Sequence, residues 1–367
     1  MADVTSPPVK SAVAARLLGA ATGMSGPPLD DLVEDVQLLA TYKYDGYDGY
    51  RPGRHFVESL TAWLMQFRPD ERPIALEFVR RHVVFISRPE LHHLVELVYP
   101  SVIRPSVLRR TSALTGIPPH RVTALAASAE FAALQRATLV VGLSDGADLA
   151  LLRRLSPPLR HEQFVPAADL STAGVVEMVS TLRQDLARAD LPAVARFGSV
   201  MLVDDFSATG TTLLRCEDGR WDGRLQVARR HLASLVEQGA LAAEHDVHVV
   251  LYVATDRAVA RLEQLLAECG LPWAVRAVQR IGDQARVTPD RHPAMHELCT
   301  RYADGTSVAY VPGERGPLAF GCGGAALSVV LHHNTPDNSI SLLWQDRRED
   351  RSDRPVIPLF PRQERHP

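Results

Sequence analysis

The run Val200-Met201-Leu202-Val203-Asp204-Asp205-Phe206-Ser207-Ala208-Thr209-Gly210-Thr211-Thr212 constrains this chain more than any other segment. Four apolar residues in a row read as a strand buried on both faces, the habit of a parallel sheet. The strand delivers two adjacent carboxylates to its carboxyl end. A Thr-Gly pair and two more threonines follow, and the spacing predicts a helix from Thr212. Gly210 lets the backbone approach a ligand closely. Amides near the helix start, with the hydroxyls of Thr209, Thr211 and Thr212, suit a phosphate at the positive end of the helix dipole. Asp204 and Asp205 then lie where the vicinal hydroxyls of a sugar would be, and carboxylates are good acceptors from a diol. The pattern fits a sugar phosphate.

The same rhythm recurs on either side. Leu139 to Leu143 is a wholly apolar run that breaks into Ser144-Asp145-Gly146-Ala147-Asp148 before a helix over Leu149 to Leu155. Val247 to Val253 is a third such strand, followed by a helix over Ala258 to Glu268, and Ala274 to Val278 is a fourth. Strands alternating with helices predict an α/β fold with a mainly parallel sheet flanked by helices. In that architecture ligands sit beyond the carboxyl ends of the strands, so the loops after Leu143, Val203 and Val253 share one rim. Asp256 and Arg257 end the third strand on that rim, as a ligand contact or as a salt bridge.

An N-terminal helical region precedes this core. Leu32, Val33, Val36, Leu39 and Ala40 share a face, and so do Phe56, Leu60, Trp63, Leu64 and Phe67. Further helices are predicted over Ile74 to Val84 and Glu90 to Val98, the latter opened by Ser87-Arg88-Pro89-Glu90. Tyr44-Asp45-Gly46-Tyr47-Asp48-Gly49-Tyr50 reads as a packed aromatic turn in preference to a cation loop, because no matching ligand set follows. Beyond Asp283, strands are predicted over Leu318 to Cys322, Leu327 to Leu331 and Ile340 to Trp344. The organisation read from this pattern is a flexible tail at 1–29, the helical region at 30–125, a core with a C-terminal hood at 126–345, and a tail at 346–367 that wraps the surface or is disordered.

Composition excludes several classes. With 46% hydrophobic and 23% charged residues the chain is globular, and its net charge of -3 gives no global field for nucleic acid. Lysine occurs only at Lys10 and Lys43, so a lone arginine is weak support for phosphate binding here. The four cysteines are scattered without a zinc or disulfide spacing, and no run is apolar enough for a membrane span. A cytoplasmic protein is expected.

The Val200–Thr212 run resembles the phosphoribosyl diphosphate (PRPP) motif of type I phosphoribosyltransferases. That resemblance implies that Asp204 and Asp205 hold the ribose 2- and 3-hydroxyls. It implies that Ser207, Ala208, Thr209, Gly210, Thr211 and Thr212 hold the 5-phosphate, with Mg²⁺ held mainly through the ligand. It gives Asp204 and Asp205 the catalytic positions, and Ser144, Asp145 and Gly146 the diphosphate loop, with Arg153 or Arg154 nearby. One departure matters: Ala208 stands where 6-oxopurine salvage members carry a basic Asp, which weakens a hypoxanthine or guanine assignment.

Several further pieces resemble the phosphoribosyltransferase-like effectors of bacterial conflict (antiphage) systems. They are Trp63-Leu64-Met65-Gln66-Phe67, Phe85-Ile86-Ser87, Gly142-Leu143-Ser144-Asp145-Gly146-Ala147, His161-Glu162-Gln163, and His333-Asn334-Thr335-Pro336-Asp337-Asn338 through Leu343-Trp344, together spanning about residues 40 to 362. That branch implies an enzyme acting at ribose C1 on PRPP or a nucleotide-like ribose phosphate, as a defence effector. His161, Gln163, His333 and Asn334 are candidates to cover the acceptor, with a surface or capping role the competing assignment for the histidines. A catalytically inactive PRPP- or nucleotide-sensing module, or a scaffold in a defence complex, is the alternative. In the scaffold reading the N-terminal helices dock a protein or nucleoprotein such as a reverse transcriptase. Assembly as a homo-oligomer is compatible with each.

Overall fold

A computed structural model describes residues 9–50, 55–167, 172–191, 196–302, 308–311, 314–347 and 356–363. The chain divides into two compact units, one built from residues 1–90 and 283–367 and the other from 91–282. The stretch 30–125 is therefore shared between them, with the helix Arg88–Val98 running across the boundary.

The 91–282 unit carries the sheet. Its strands are β1 (Thr138–Gly142), β2 (Phe164–Pro166), β3 (Phe197–Ser207), β4 (Leu241–Thr255) and β5 (Ala274–Ile281). The order is β2-β1-β3-β4-β5 and every neighbouring pair is parallel. Helices α1 (Arg104–Thr115), α2 (Ala129–Arg136), α3 (Leu149–Leu155), α4 (Thr172–Arg188), α5 (Arg224–Glu237) and α6 (Asp256–Glu268) accompany it. Leu139, Val141, Val200, Leu202, Val249 and Leu251 are all buried in one core with Leu225, Leu232 and Leu262 of the helices. This is the α/β fold expected from the sequence, a parallel sheet whose central strands are apolar on both faces because helices cover both.

The chain leaves β1 toward β2 on one side and β3 toward β4 on the other. Between β1 and β3 the winding reverses, and beyond the carboxyl ends of two such strands is the usual position of a ligand in these sheets. The sequence motif lies at that switch point.

One predicted helix is absent from its place. No helix starts at Thr212; residues 211–213 form a single turn in which Leu213 and Leu214 donate to the Gly210 carbonyl at 3.0 and 2.9 Å. A β-hairpin, Arg215–Glu217 with Arg220–Asp222, then intervenes, and α5 begins only at Arg224. The hairpin turns through Asp218 (φ 49) and Gly219 (φ 76), the left-handed pair that an Asp-Gly turn favours. It is an insertion into the helix start, because the amides of Arg224 and Leu225 return to the carbonyls of Thr212 and Leu213 at 3.2 and 2.9 Å.

In the other unit the helices Pro27–Tyr42, Phe56–Met65 and Arg72–His82 follow the predicted periodicity. The segment expected as a flexible tail contains a helix, Val9–Thr22, that buries Leu18 and Ala21. Val84–Ile86 pairs in parallel with Val329–Leu331, a strand that falls inside the predicted 327–331 run. The other two predicted strands are not extended. Leu318–Phe320 is a 3₁₀ turn and Cys322–Gly324 a second turn interrupted at Gly323, and the positive φ of Gly321, Gly323 and Gly324 breaks any extended run. Ser341–Trp344 is a short helix, a case where an apolar run of four or five residues does not distinguish the two states. The tail is also corrected: over 356–363 it enters the core instead of wrapping it, burying Val356, Leu359 and Phe360. Phe360 lies 5.4 to 5.8 Å from the rings of Tyr44, Tyr47, Phe56 and Phe85, so the aromatic turn at 44–50 is indeed packed. No helix among the described residues is long and apolar enough to cross a membrane.

Candidate functional site

β3 runs past the apolar core, so that Asp204 and Asp205 are its eighth and ninth residues and still belong to the ladder; Asp204 pairs with Leu251 of β4 and Phe206 with Val253. Strand alternation sends the two carboxylates to opposite sides. Asp204 is buried, at 1% exposure, but in a polar niche. Its Oδ1 accepts from the Ser144 hydroxyl and from the Asp205 amide at 3.1 Å, and its Oδ2 accepts from Arg224 Nη1 at 2.6 Å. Burial and the neighbouring Asp205 charge push its carboxyl up to about 6, against the pull of Arg224 and Ser144.

The sign of this shift makes a measurable consequence. The folded-state value lies above the ordinary 3.8, so the folded state binds the extra proton between about pH 4 and 6. The stabilisation that proton brings is complete below pH 4 and is lost as pH rises through 6. Thermal melting from pH 4 to 7 should show the wild type losing stability with rising pH relative to Asp204→Asn, which has no such proton to release.

The loop after β1 packs against the acids. A Cβ placed on Gly146 would stand 2.5 Å from Asp205 Oδ2, so only glycine lets this loop lie on the second carboxylate. Leu143 donates to the Val203 carbonyl at 2.9 Å, which docks the loop's entry on β3. Asp148 closes it in a left-handed conformation (φ 37) and caps α3 by accepting from the Leu151 amide at 3.0 Å. Asp145 begins the one-turn 3₁₀ segment Asp145–Ala147. Arg153 and Arg154 sit exposed in the last turn of α3, about 10 Å along the helix from this loop, and do not join it.

The Thr-Gly turn is held from below. Gly210 takes φ +79 and packs on Leu262 of α6. Thr255 donates to the Ala208 carbonyl at 2.6 Å while accepting the Ala258 amide at 3.0 Å, so one hydroxyl caps α6 and fixes the turn. Ser207 Oγ accepts from the Gly210 amide at 3.2 Å, and the buried hydroxyls of Thr209 and Thr211 bond each other at 2.9 Å. Thr212 alone of the three threonines is exposed. The amides of Ala208, Thr209 and Thr212 have no hydrogen-bond partner among the described residues. Backbone N–H groups left without partners in such a turn suit an anion, here without the helix dipole expected from the sequence because the hairpin intervenes.

Three contributors escape a sequence reading. Tyr252 is buried in β4 and donates to the Ala147 carbonyl, and burial with the charges of Asp205, Asp148 and Asp204 holds its hydroxyl protonated, well above its ordinary range. A tyrosine in an otherwise aliphatic strand is the signal. Thr255 is marked only as a cap before α6, and Arg224 carries no local mark at all.

Two of the acceptor candidates, Gln163 and His161, do not gather here. Gln163 is buried at the opposite end of β1, where Nε2 donates to the carbonyls of Gln135 and Thr138 at 2.9 and 2.7 Å. The rim lies about 13 Å away, at Gly142. It serves as a plug there because its amide answers one carbonyl from the end of α2 and one from the start of β1. His161 precedes β2 at that same end and is exposed. His333 and Asn334 belong to the other unit, where Asn334 Nδ2 donates to the Gln363 carbonyl at 2.8 Å. Asp256 forms a half-exposed ion pair with Arg280 at 2.6 Å, the salt-bridge alternative for this residue. A cavity of about 660 Å³ near Trp273 and Gly270 lies where α6 ends and β5 starts, the far end of the sheet from the acids.

The described residues contain no group of three or more His, Cys, Asp or Glu able to hold a metal. Comparison with curated proteins and with solved structures gives no match. The family model PRTase-CE matches residues 60–362, and the chain belongs to that phosphoribosyltransferase-like family.

Proposed function

We propose that the chain is a phosphoribosyltransferase-like enzyme that binds PRPP or a related ribose phosphate at the β1/β3 switch point and acts at ribose C1, as an effector of an antiphage system in the cytoplasm. One observation carries this reading: the acid pair, the glycine loop laid on Asp205 and the turn of unpartnered amides converge at the point where the sheet reverses its winding. In this reading Asp205, with Asp204, accepts the ribose hydroxyls, the 208–212 turn takes the 5-phosphate, and Ser144, Asp145 and Gly146 meet the diphosphate. Mg²⁺ fits the Asp205 carboxylate, a hard oxygen donor, and it would be held mainly through ligand oxygens and water. When bound it would neutralise the diphosphate as that group leaves. The chain's own share is positioning, through the loop that Tyr252 anchors and the turn that Thr255 anchors.

Calorimetry with PRPP and Mg²⁺, combined with an assay for released pyrophosphate across bases, nucleotides and water, tests this reading. Metal-dependent binding with pyrophosphate release is the expected outcome, and absence of both sinks it. Binding without release would select a second reading, a PRPP or nucleotide sensor. That one is favoured by Ala208, which cannot move a proton, and by the three donors already on Asp204. Gly146→Ala is expected to weaken binding on the order of tenfold or more, about 1.4 kcal/mol, because its Cβ must displace the loop or Asp205. The same titration reads it.

A further inference from the structure

The hairpin inserted after the Thr-Gly turn does more than lengthen the chain; it sets where Arg224 stands. The first residue of α5 is tied to both halves of the motif at once. Its amide donates to the Thr212 carbonyl at 3.2 Å, and its guanidinium donates to Asp204 Oδ2 at 2.6 Å. Asp204 is largely occupied as a result. Oδ1 takes two donors, Ser144 and the Asp205 amide, and Oδ2 takes Arg224, which leaves one of about four acceptor positions. With the carboxylate only 1% exposed, a diol reaches that position only against a charged donor on the same oxygen, and a neutral hydroxyl is the weaker of the two.

The opposite partner is free to move. The Arg224 side chain is 42% exposed, whereas Asp204 is 1% exposed. Its root lies beside the turn whose amides, without partners among the described residues, suit an anion. A phosphate seated there offers the guanidinium a second anion within its own neighbourhood, and arginine pairs with phosphate at least as well as with carboxylate.

We propose that Arg224 is a specificity latch: it keeps Asp204 closed to unphosphorylated ribosides and moves to the phosphate of a phosphorylated one, opening the acid to the ribose hydroxyls. This rests on the ribose-phosphate reading of the site and adds how it rejects the far more similar neutral sugar. The exchange breaks and forms only ion pairs and hydrogen bonds; no group is transferred. A ligand without the phosphate has nothing to give Arg224 in return, so it meets a carboxylate that is both buried and occupied.

The test is calorimetry on the full chain with Mg²⁺, using methyl ribofuranoside and its 5-phosphate as probes. For the wild type the phosphorylated probe should bind at least 100-fold more tightly. Arg224→Gln should weaken the phosphorylated probe roughly tenfold and strengthen the neutral one, so that the preference falls below tenfold. Arg224→Lys keeps a charge and should retain most of the preference, which separates the latch from a general disturbance of the fold. A preference unchanged in Arg224→Gln overturns the latch alone, and so does a Lys variant that loses it as fully as Gln. A wild type that binds neither probe overturns the ribose-phosphate reading itself, and the latch with it.

Discussion

Asp205→Asn is expected to abolish PRPP binding while leaving the fold intact. The carboxylate stands at the β1/β3 switch point, half-buried, with the Gly146 loop laid on it. Losing charge-assisted bonds to the two ribose hydroxyls removes about 1.5–3 kcal/mol for each bond. Together that is on the order of 100- to 10,000-fold in affinity. The amide is nearly the same size, so the melting temperature should stay within a few degrees. Asp204→Asn separates the two roles of the pair. It places an NH₂ group where Asp204 now accepts from Ser144 or Arg224, and so a donor faces a donor in a buried niche. The expected cost is about 1–3 kcal/mol of stability in addition to lost binding. Calorimetry and thermal melting on both variants provide the check. An Asp205→Asn chain that binds PRPP as the wild type does would remove the acid pair from the site.

The largest expected stability effect lies in the other unit. Phe360 has no exposed surface and sits among Tyr44, Tyr47, Phe56 and Phe85, with Tyr50 stacked 6.1 Å away. The backbone around it is bound as well: its amide donates to the Leu343 carbonyl at 2.7 Å, and its carbonyl accepts from Thr335 Oγ1 at 3.2 Å. Phe360→Ala should cost about 3–5 kcal/mol, the transfer of a ring plus the cavity it leaves. For a unit of this size that corresponds to a fall of roughly 6–20 °C in melting temperature. Amide hydrogen exchange should rise around Tyr44, Tyr47, Phe56 and Phe85, whose rings face the cavity. A melting temperature within 2 °C of the wild type, as scale for about 0.5–1 kcal/mol, would contradict a seated tail.

These two residues differ in how they declare themselves. Asp205 announces its place, because an apolar strand, a pair of acids and a Thr-Gly turn are consecutive in the chain. Phe360 does not. It lies in a stretch rich in Arg, Asp and Pro, and the rings that surround it are about 300 residues away in sequence. Local composition there favours solvent, and only the packing of distant segments overrides it. Arg224 is hidden for a related reason. Eleven residues separate it from Thr212, and it reaches Asp204 only because the hairpin folds back on itself. The Asp218-Gly219 pair, a strong hairpin signal, is the one local cue that an insertion is present. His161 and Gln163 illustrate the reverse error. Their proximity in sequence to the first loop suggests a shared site, yet a parallel connection carries the chain back to the start of the sheet before β2 begins.

What the sequence determined by itself is whatever depends on neighbours along the chain. Apolar runs set the strands, their alternation with helices set a parallel sheet, and that sheet type places the loops after Leu143 and Val203 on one rim. The tertiary structure decided what depends on distance in space. It buried Asp204 and gave it Arg224, laid Gly146 on Asp205, anchored both loops through Tyr252 and Thr255, and drew Phe360 into a core. The physical reason is that propensity and periodicity act over a few residues, whereas burial and ion pairing act between surfaces that meet only once the chain has folded.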